Sequence, residues 1–287
     1  MGTQTYRGMV VTDFDGTIYH KGDSFHPRDL KTLRRLGALG FVRVIATGRS
    51  MQSIEEVIDR SFPVDYVVFS SGAGVYDLEK GELLLRRVFS GGETVGICRR
   101  LLDIGADFMV HHPIPDNHFF HYYHTGRENP DFFRRLEIYR DYARVFDLRE
   151  IEDLEATQFV IISPPGTNLL QKIASHFEDL SVIWSSSPID HSSMWIELFP
   201  FGSNKGAGVS WLADKLGIGR PTIMAVGNDF NDLHMLEWVP HAYVVANAPE
   251  QLRAMFTQVS SCEEAGFTEA FERFYAELFE GKAGKDA

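Results

Sequence analysis

Four apolar, β-branched runs end abruptly in polar clusters, with stretches of helical length between the early ones. This alternation constrains the fold more than any other feature of the chain. Met9-Val10-Val11 runs into Asp13, Asp15, Gly16 and Thr17, and FVRVIAT (41–47) runs into Gly48 and Arg49. DYVVFSSGAG (65–74) ends in small and hydroxylated residues, and PTIMAVG (221–227) runs into Asn228-Asp229-Phe230-Asn231-Asp232. Between the first two runs, Leu30, Leu33, Leu36 and Leu39 recur at near-helical spacing after Pro27, with Gly40 as the stop. A second helix is expected from Ser50 to Arg60. Strands joined through helices imply right-handed crossovers and a parallel sheet. Ligands bind at the carboxyl edge of such a sheet, where all four polar clusters lie.

The pattern changes after a hairpin at 75–87 that turns on Glu79-Lys80-Gly81. Helices are expected at 92–104, 130–142 and 167–178, and strands near 106–111, 118–124, 157–163, 181–186 and 193–198. Some of these strands are adjacent in sequence, so their sheet should be largely antiparallel. Strand–helix alternation resumes after Pro200, with a helix at 204–216, the strand at 221–227, another strand at 242–248 and two closing helices. The expected organisation is a Rossmann-like α/β core from 1–85 and 196–287, interrupted by an inserted α/β cap at 86–195.

A net charge of −12 argues against nucleic acid as a partner, because phosphate backbones select basic faces. An acidic chain that handles anions must focus positive potential locally, through a cation or a few placed Lys and Arg. No apolar stretch approaches membrane-spanning length, and no targeting segment or myristoylation pattern follows Met1-Gly2. Cys98 and Cys262 match no disulfide framework or zinc spacing and read as thiols of a reducing cytoplasm.

DFDGT (13–17), TGR (47–49), Lys205 before a helix and GNDFND (227–232), in this order, resemble the haloacid dehalogenase superfamily. More narrowly they resemble its Cof-type phosphatases, whose α/β cap lies between the second and third motifs. SNKGAGVSWLADKLGI, NDLHML and VANAPE extend the resemblance over nearly the whole chain. It implies a Mg²⁺-dependent phosphomonoester hydrolase acting on a small phosphorylated metabolite.

The chemistry can also be argued from the residues. Phosphoryl transfer needs positioning and charge neutralisation more than covalent assistance. A carboxylate can attack phosphorus and form an acyl phosphate, which makes Asp13 the candidate nucleophile. A second carboxyl two residues on, Asp15, can protonate the leaving alcohol and then deprotonate water. Mg²⁺ is the hard, oxygen-seeking cation that lets carboxylates and phosphate share a small space. The resemblance assigns it the Asp13 side chain and the Asp15 carbonyl, with Gly16 allowing close backbone approach and Thr17 securing the loop. Thr47 and the amides near it, Gly48 included, can hold phosphate oxygens. Lys205 offers a mobile point charge to the phosphoryl group. Taken singly, Thr47 reads as a helix cap and Lys205 as a solvated charge; the ordered set favours the functional reading.

Two departures from the family pattern stand out. Gly-Asp-x-x-Asn-Asp is usual for the fourth motif, but here Asn228 holds the first ligand position and Asp229 follows it. Either Asn228 or Asp229 serves the metal, with Asp232 behind it and Asn231 orienting phosphate or Asp13. Ser71 stands where many relatives carry Asn, on the substrate side. In MVHHPIPDNHFFHYYHTGR (109–127) five histidines lie among aromatic residues without a metal-ligand spacing. His111 and His118, together with Arg49, are candidate substrate contacts, and aromatic core with solvated histidines is the plainer reading. A phosphomutase of the same superfamily, or a regulatory binding protein weakened by Asn228, are the alternatives to the hydrolase.

Overall fold

The computed structural model describes residues 6–20 and 24–280; the Met1-Gly2 pair lies outside them. Strand β1 (Gly8–Thr12) is buried at every position. After it come the short strands β2 (Tyr19–His20) and β3 (Ser24–Phe25), helix α1 (Pro27–Ala38) and strand β4 (Phe41–Ala46). Pro27 opens α1, His26 caps it by accepting from Arg28 N–H, and Leu33 and Leu36 form its buried face. Next are α2 (Met51–Glu55), β5 (Tyr66–Phe69), β6 (Gly74–Asp77) and β7 (Glu82–Arg86). The helix expected over 50–60 is therefore cut short. Val57 N–H turns back to Ile54 carbonyl, and Asp59 Oδ1 accepts from both Ser61 N–H and its hydroxyl just before Pro63.

The middle of the chain supplies α3 (Gly91–Ile104), β8 (Phe108–His111), β9 (Phe120–Tyr123), α4 (Pro130–Ile138), β10 (Ala143–Val145), β11 (Gln158–Ser163), α5 (Leu169–His176), β12 (Ser181–Ser186) and β13 (Met194–Phe199). The last part supplies α6 (Lys205–Leu216), β14 (Ile223–Gly227), α7 (Leu233–Trp238), β15 (His241–Val245), α8 (Glu250–Met255), β16 (Thr257–Val259) and α9 (Gly266–Tyr275).

An eight-stranded sheet runs β16-β15-β14-β1-β4-β5-β6-β7. From β16 to β5 neighbours are parallel, and β6 turns back antiparallel to β5. The chain therefore steps outward from β1 in both directions, first through β4 and β5 and later through β14, β15 and β16. Such a reversal opens a crevice at the carboxyl edge beside β1. Thr12 pairs with Val226 on one side and Ile45 on the other, so the residues after all three strands emerge side by side.

A six-stranded sheet runs β10-β9-β8-β11-β13-β12 and is antiparallel except between β9 and β10. Period-2 alternation divides its side chains between two cores. Phe108, Val110, Phe159, Ile161, Ile196 and Leu198 pack with α3 and α5 residues such as Leu101 and Ile173. Met109, Val160 and Ile162 pack on the other face with Phe132 of α4. The chain divides into two compact units. The first holds Met1–Gly48, Ile58–Leu84 and Lys205–Ala287 and carries the larger sheet; the second holds Arg49–Val57 and Leu85–Asn204. Among the described residues no helix is long and apolar enough to cross a membrane. Both cysteines are free and buried, and burial pushes each thiol up to about 12.

Candidate active site

The turn that leaves β1 builds the site. Asp13 N–H donates to Val226 carbonyl at 2.9 Å, so the strand ladder extends one residue beyond β1 and fixes the Asp13 backbone. The chain then bends tightly, with Phe14 carbonyl accepting from the amides of Thr17, Ile18 and Tyr19. Gly16 makes the turn possible at φ 75°; a Cβ there would meet Asn228 Nδ2 at 2.6 Å. Asn247 Nδ2 donates to Gly16 carbonyl at 2.8 Å and its Oδ1 accepts from Cys262 N–H, so it ties this turn to a segment distant in sequence, just before α9. The sequence contained Asn247 within VANAPE but offered no ground for a role.

Asp13 is almost wholly buried, at 4% exposure. Lys205 Nζ donates to its Oδ1 at 2.6 Å, and the Thr17 hydroxyl lies 3.1 Å from its Oδ2 and 3.2 Å from Asn228 Oδ1. Lys205, fully buried at the first position of α6, also donates to Asp232 Oδ1 at 2.6 Å and Asn231 Oδ1 at 3.3 Å. Glycine lets α6 carry that lysine so deep. A Cβ on Gly206 would meet His234 carbonyl at 2.5 Å, and one on Gly208 would meet the Gly72 backbone at 3.0 Å. The other oxygen of Asp232 accepts from the amides of Asn228 and Asp229, so both of its oxygens are engaged. Asp229 accepts from Phe230 N–H and caps the single turn over 230–232.

Thr47 is buried, its amide donating to Val68 carbonyl and its carbonyl accepting from Ser71 N–H. A Cβ on Gly48 would come 3.5 Å from Ser71 Oγ and 3.8 Å from Asn231 Nδ2, which places these three residues together. Ser70 and Ser71 are buried and both left-handed, at φ 47° and 49°. Non-glycine residues adopt that conformation at a cost, and it clusters at functional sites. Arg49, His111 and His118 belong to the second unit. Arg49 Nη1 donates to Ser53 carbonyl at 3.2 Å. His118 stands edge-on to Tyr142 at 5.2 Å. His111 is buried beneath Phe120, with Nδ1 2.7 Å from Asn117 carbonyl.

Burial raises the Asp13 carboxyl to about 7, with Asp232 and Asp15 pushing the same way and Lys205 pulling it back. Burial lowers the Lys205 ammonium, but Asp13 and Asp232 outweigh it and hold the group above its ordinary value. One ammonium faces two buried carboxylates, with exposed Asp15 adding a third. The edge carries excess negative charge and presents oxygen donors, a combination suited to a hard divalent cation. Among the described residues no group of three His, Cys, Asp or Glu side chains converges as a metal site. The donor next to Asp13 is instead an amide, Asn228.

The sequence profile of the haloacid dehalogenase-like hydrolases matches residues 10–269. The chain is 26% identical over 250 residues to the HMP-PP phosphatase of Escherichia coli O6:H1, with 86% of each chain covered. It is 24% identical over 287 residues to the 5-amino-6-(5-phospho-D-ribitylamino)uracil phosphatase YitU of Bacillus subtilis strain 168, covering 97% of this chain and 99% of the relative. In fold it is similar to the haloalkanoate-superfamily phosphatase BT1666 of Bacteroides thetaiotaomicron, with a TM-score of 0.77, 20% identity and coverage of 94% and 95%. It is also similar to the subclass IIB sugar phosphatase BT4131, with a TM-score of 0.74, 17% identity and coverage of 93% and 98%. With a profile match spanning β1 to α9 and the same fold in these phosphatases, this chain belongs to the haloacid dehalogenase-like hydrolases.

Proposed function

We propose that the chain is a cytoplasmic, Mg²⁺-dependent phosphomonoester hydrolase of small phosphorylated metabolites, sugar phosphates first among them. One observation carries the reading: buried Lys205 bridges Asp13 and Asp232 at the carboxyl edge of β1, with Asn231 at 3.3 Å from the same ammonium. The names of the two relatives, both phosphatases of small phosphorylated compounds, support the substrate class.

In this reading an Asp13 oxygen attacks phosphorus and forms an acyl phosphate as the ester P–O bond breaks. Asp15 gives a proton to the departing alcohol and then takes one from the water that cleaves the acyl phosphate. Thr47, the Gly48 amide and Asn231 hold the non-bridging oxygens, and Lys205 offsets charge on the phosphoryl group and on Asp13. The residues that would hold Mg²⁺ are Asp13, Asn228 and the Asp15 carbonyl, with Asp232 and Asp229 behind them. When bound, the ion neutralises charge between carboxylate and phosphate. The inserted segment, 86–195, is assigned the selection of the leaving group. Arg49, Ser71, His111 and His118 are its candidate contacts, Ser71 being the one in the first unit.

The test compares wild type and Asp13→Asn on p-nitrophenyl phosphate with Mg²⁺. Turnover by wild type and a loss of about 10³-fold or more in the variant are expected. Equal, negligible turnover by both would instead mark a regulatory protein. A burst of one p-nitrophenolate per enzyme without further phosphate release would mark a phosphotransferase.

A further inference from the structure

Asn247 follows β15 at the carboxyl edge of the larger sheet, where β15 pairs with β14 and β14 with β1. The residue is exposed, yet both ends of its amide are engaged. Oδ1 accepts from Cys262 N–H at 2.9 Å, and Nδ2 donates to Gly16 carbonyl at 2.8 Å. A backbone N–H only donates and a carbonyl only accepts, so the amide can be oriented one way. Asparagine meets both demands. Aspartate at this position would satisfy Cys262 N–H and set an oxygen against the Gly16 carbonyl, and alanine would release both.

The Cys262 end is firmly anchored. Cys262 is buried and begins the single turn over 262–264. Gly266, where α9 starts, packs so closely on that segment that a Cβ would strike the Ser260 carbonyl. Asn247 therefore reaches from a fixed segment to the Gly16 turn.

What it holds there is the peptide between Asp15 and Thr17. Gly16 lies in the left-handed region at φ 75°, and a residue without Cβ resists reorientation of its peptides least. Gly16 N–H donates to Tyr19 carbonyl at 2.9 Å. The Gly16 carbonyl accepts from no backbone donor among the described residues, which leaves its orientation to Asn247. The N–H of the same peptide, that of Thr17, makes the longest of the three bonds to Phe14 carbonyl, 3.3 Å against 3.1 and 2.9 Å. On one side of Gly16, Thr17 is fully buried and its hydroxyl lies 3.1 Å from Asp13 Oδ2. On the other side Asp15 is exposed. The Gly16 dihedrals therefore set where Asp15 stands relative to Asp13.

We propose that Asn247 is a positioning residue for proton transfer: by fixing the Gly16 carbonyl it keeps the Asp15 carboxyl aligned with the departing ester oxygen. The inference rests on the role given to Asp15 in the proposed function. Asn247 acts through Asp15, and a misplacement of about 1 Å at a reacting group can cost about 10²-fold in rate.

The experiment compares wild type, Asn247→Ala and Asn247→Asp on two monoesters at saturating Mg²⁺. Phenyl phosphate releases an oxygen that needs a proton, whereas the nitro group of p-nitrophenyl phosphate stabilises the departing anion without one. Each protein is assayed well below its own urea unfolding midpoint, so that lost activity is not lost fold. For both variants kcat/KM should fall by about tenfold or more with phenyl phosphate and by about threefold or less with p-nitrophenyl phosphate. Asn247→Asp keeps the Cys262 bond, so its loss reports the Gly16 contact. In an Asp15→Asn background, Asn247→Ala should change kcat/KM for phenyl phosphate by less than about twofold, because the group it positions is gone. Hydrogen–deuterium exchange should be faster at residues 16–19 in Asn247→Ala and unchanged in β1 and β14. Equal losses on the two esters, no loss, an undiminished loss in the Asp15→Asn background, or unchanged exchange at 16–19 would overturn this inference and leave the hydrolase reading standing. A wild type inactive on both esters would overturn that reading and this inference together.

Discussion

At the scale of single residues, the most informative position is 228. Its side-chain oxygen lies 3.2 Å from the Thr17 hydroxyl, which in turn reaches Asp13. Asp229, by contrast, is committed to capping the turn after β14. Asn228 therefore stands where a further carboxylate would extend the oxygen cluster, and an amide brings no full charge to a cation. Asn228→Asp should tighten Mg²⁺ binding by about tenfold. Calorimetric titration of Mg²⁺ into both proteins checks this independently of turnover, and equal affinities would place the ion away from residue 228. Gly16→Ala should do the opposite. A left-handed φ costs a Cβ-bearing residue about 1–2 kcal/mol, and the added carbon would press on Asn228 Nδ2 at 2.6 Å. Loss of Mg²⁺ affinity greater than loss of stability, read by titration and by urea unfolding, is the expected signature.

At the scale of elements, two buried titratable groups hold segments in place. Asp29 of α1 is fully buried, and its Oδ1 accepts from both Thr268 N–H and hydroxyl, linking α1 to α9. Burial raises its pKa, with the Thr268 bonds opposing. Asp29→Asn keeps an acceptor and removes a desolvated charge, so urea unfolding should find it near neutral. Asp29→Ala strands two donors and should cost about 2 kcal/mol or more. At the end of β8, His111 faces the Asn117 carbonyl, which can only accept, so the proton of the neutral ring sits on Nδ1. Burial first, then the Arg135 charge, pulls its pKa down to about 3. The unfolded chain takes up a second ring proton near pH 6.5 and the native one does not. The contribution of His111 is thus complete above about pH 6.5 and is lost as pH falls toward 3, by about 2 kcal/mol at pH 5. A shallower acid limb for His111→Gln, in unfolding midpoints measured between pH 7.5 and 5, checks the sign. Elements of this kind were unevenly legible. The long periodic runs such as α1, α3 and α6 could be read because burial imposes a period. The three-residue edge strands β10 and β16 were not, since half of their pairing is absent and no alternation can show.

At the scale of the molecule, the parallel sheet was legible because each strand ends where its polar residues begin. Register alone then sets Asp13 beside Gly227 and Ala46. What stayed hidden depends on three-dimensional closeness rather than pattern. The glycines that seat α6 and Asn247 behind the Gly16 turn carry no periodic signal. Charge is the remaining molecular property. The chain holds 40 acidic against 28 basic side chains, a net −12. A phosphomonoester dianion therefore approaches against a repulsive far field, and Lys205, with the cation of the proposed function, attracts it at short range. Screening shortens the far field first, because the Debye length falls from about 30 Å at 0.01 M salt to about 8 Å at 0.15 M. The kcat/KM for p-nitrophenyl phosphate at saturating Mg²⁺ should therefore rise, by roughly twofold or more, as KCl is raised across that range. The change should appear in KM rather than kcat, because the buried contacts of Lys205 are screened far less. A fall in kcat/KM instead would mean that the substrate meets a positive surface on its way in, and that net charge is the wrong description of its path.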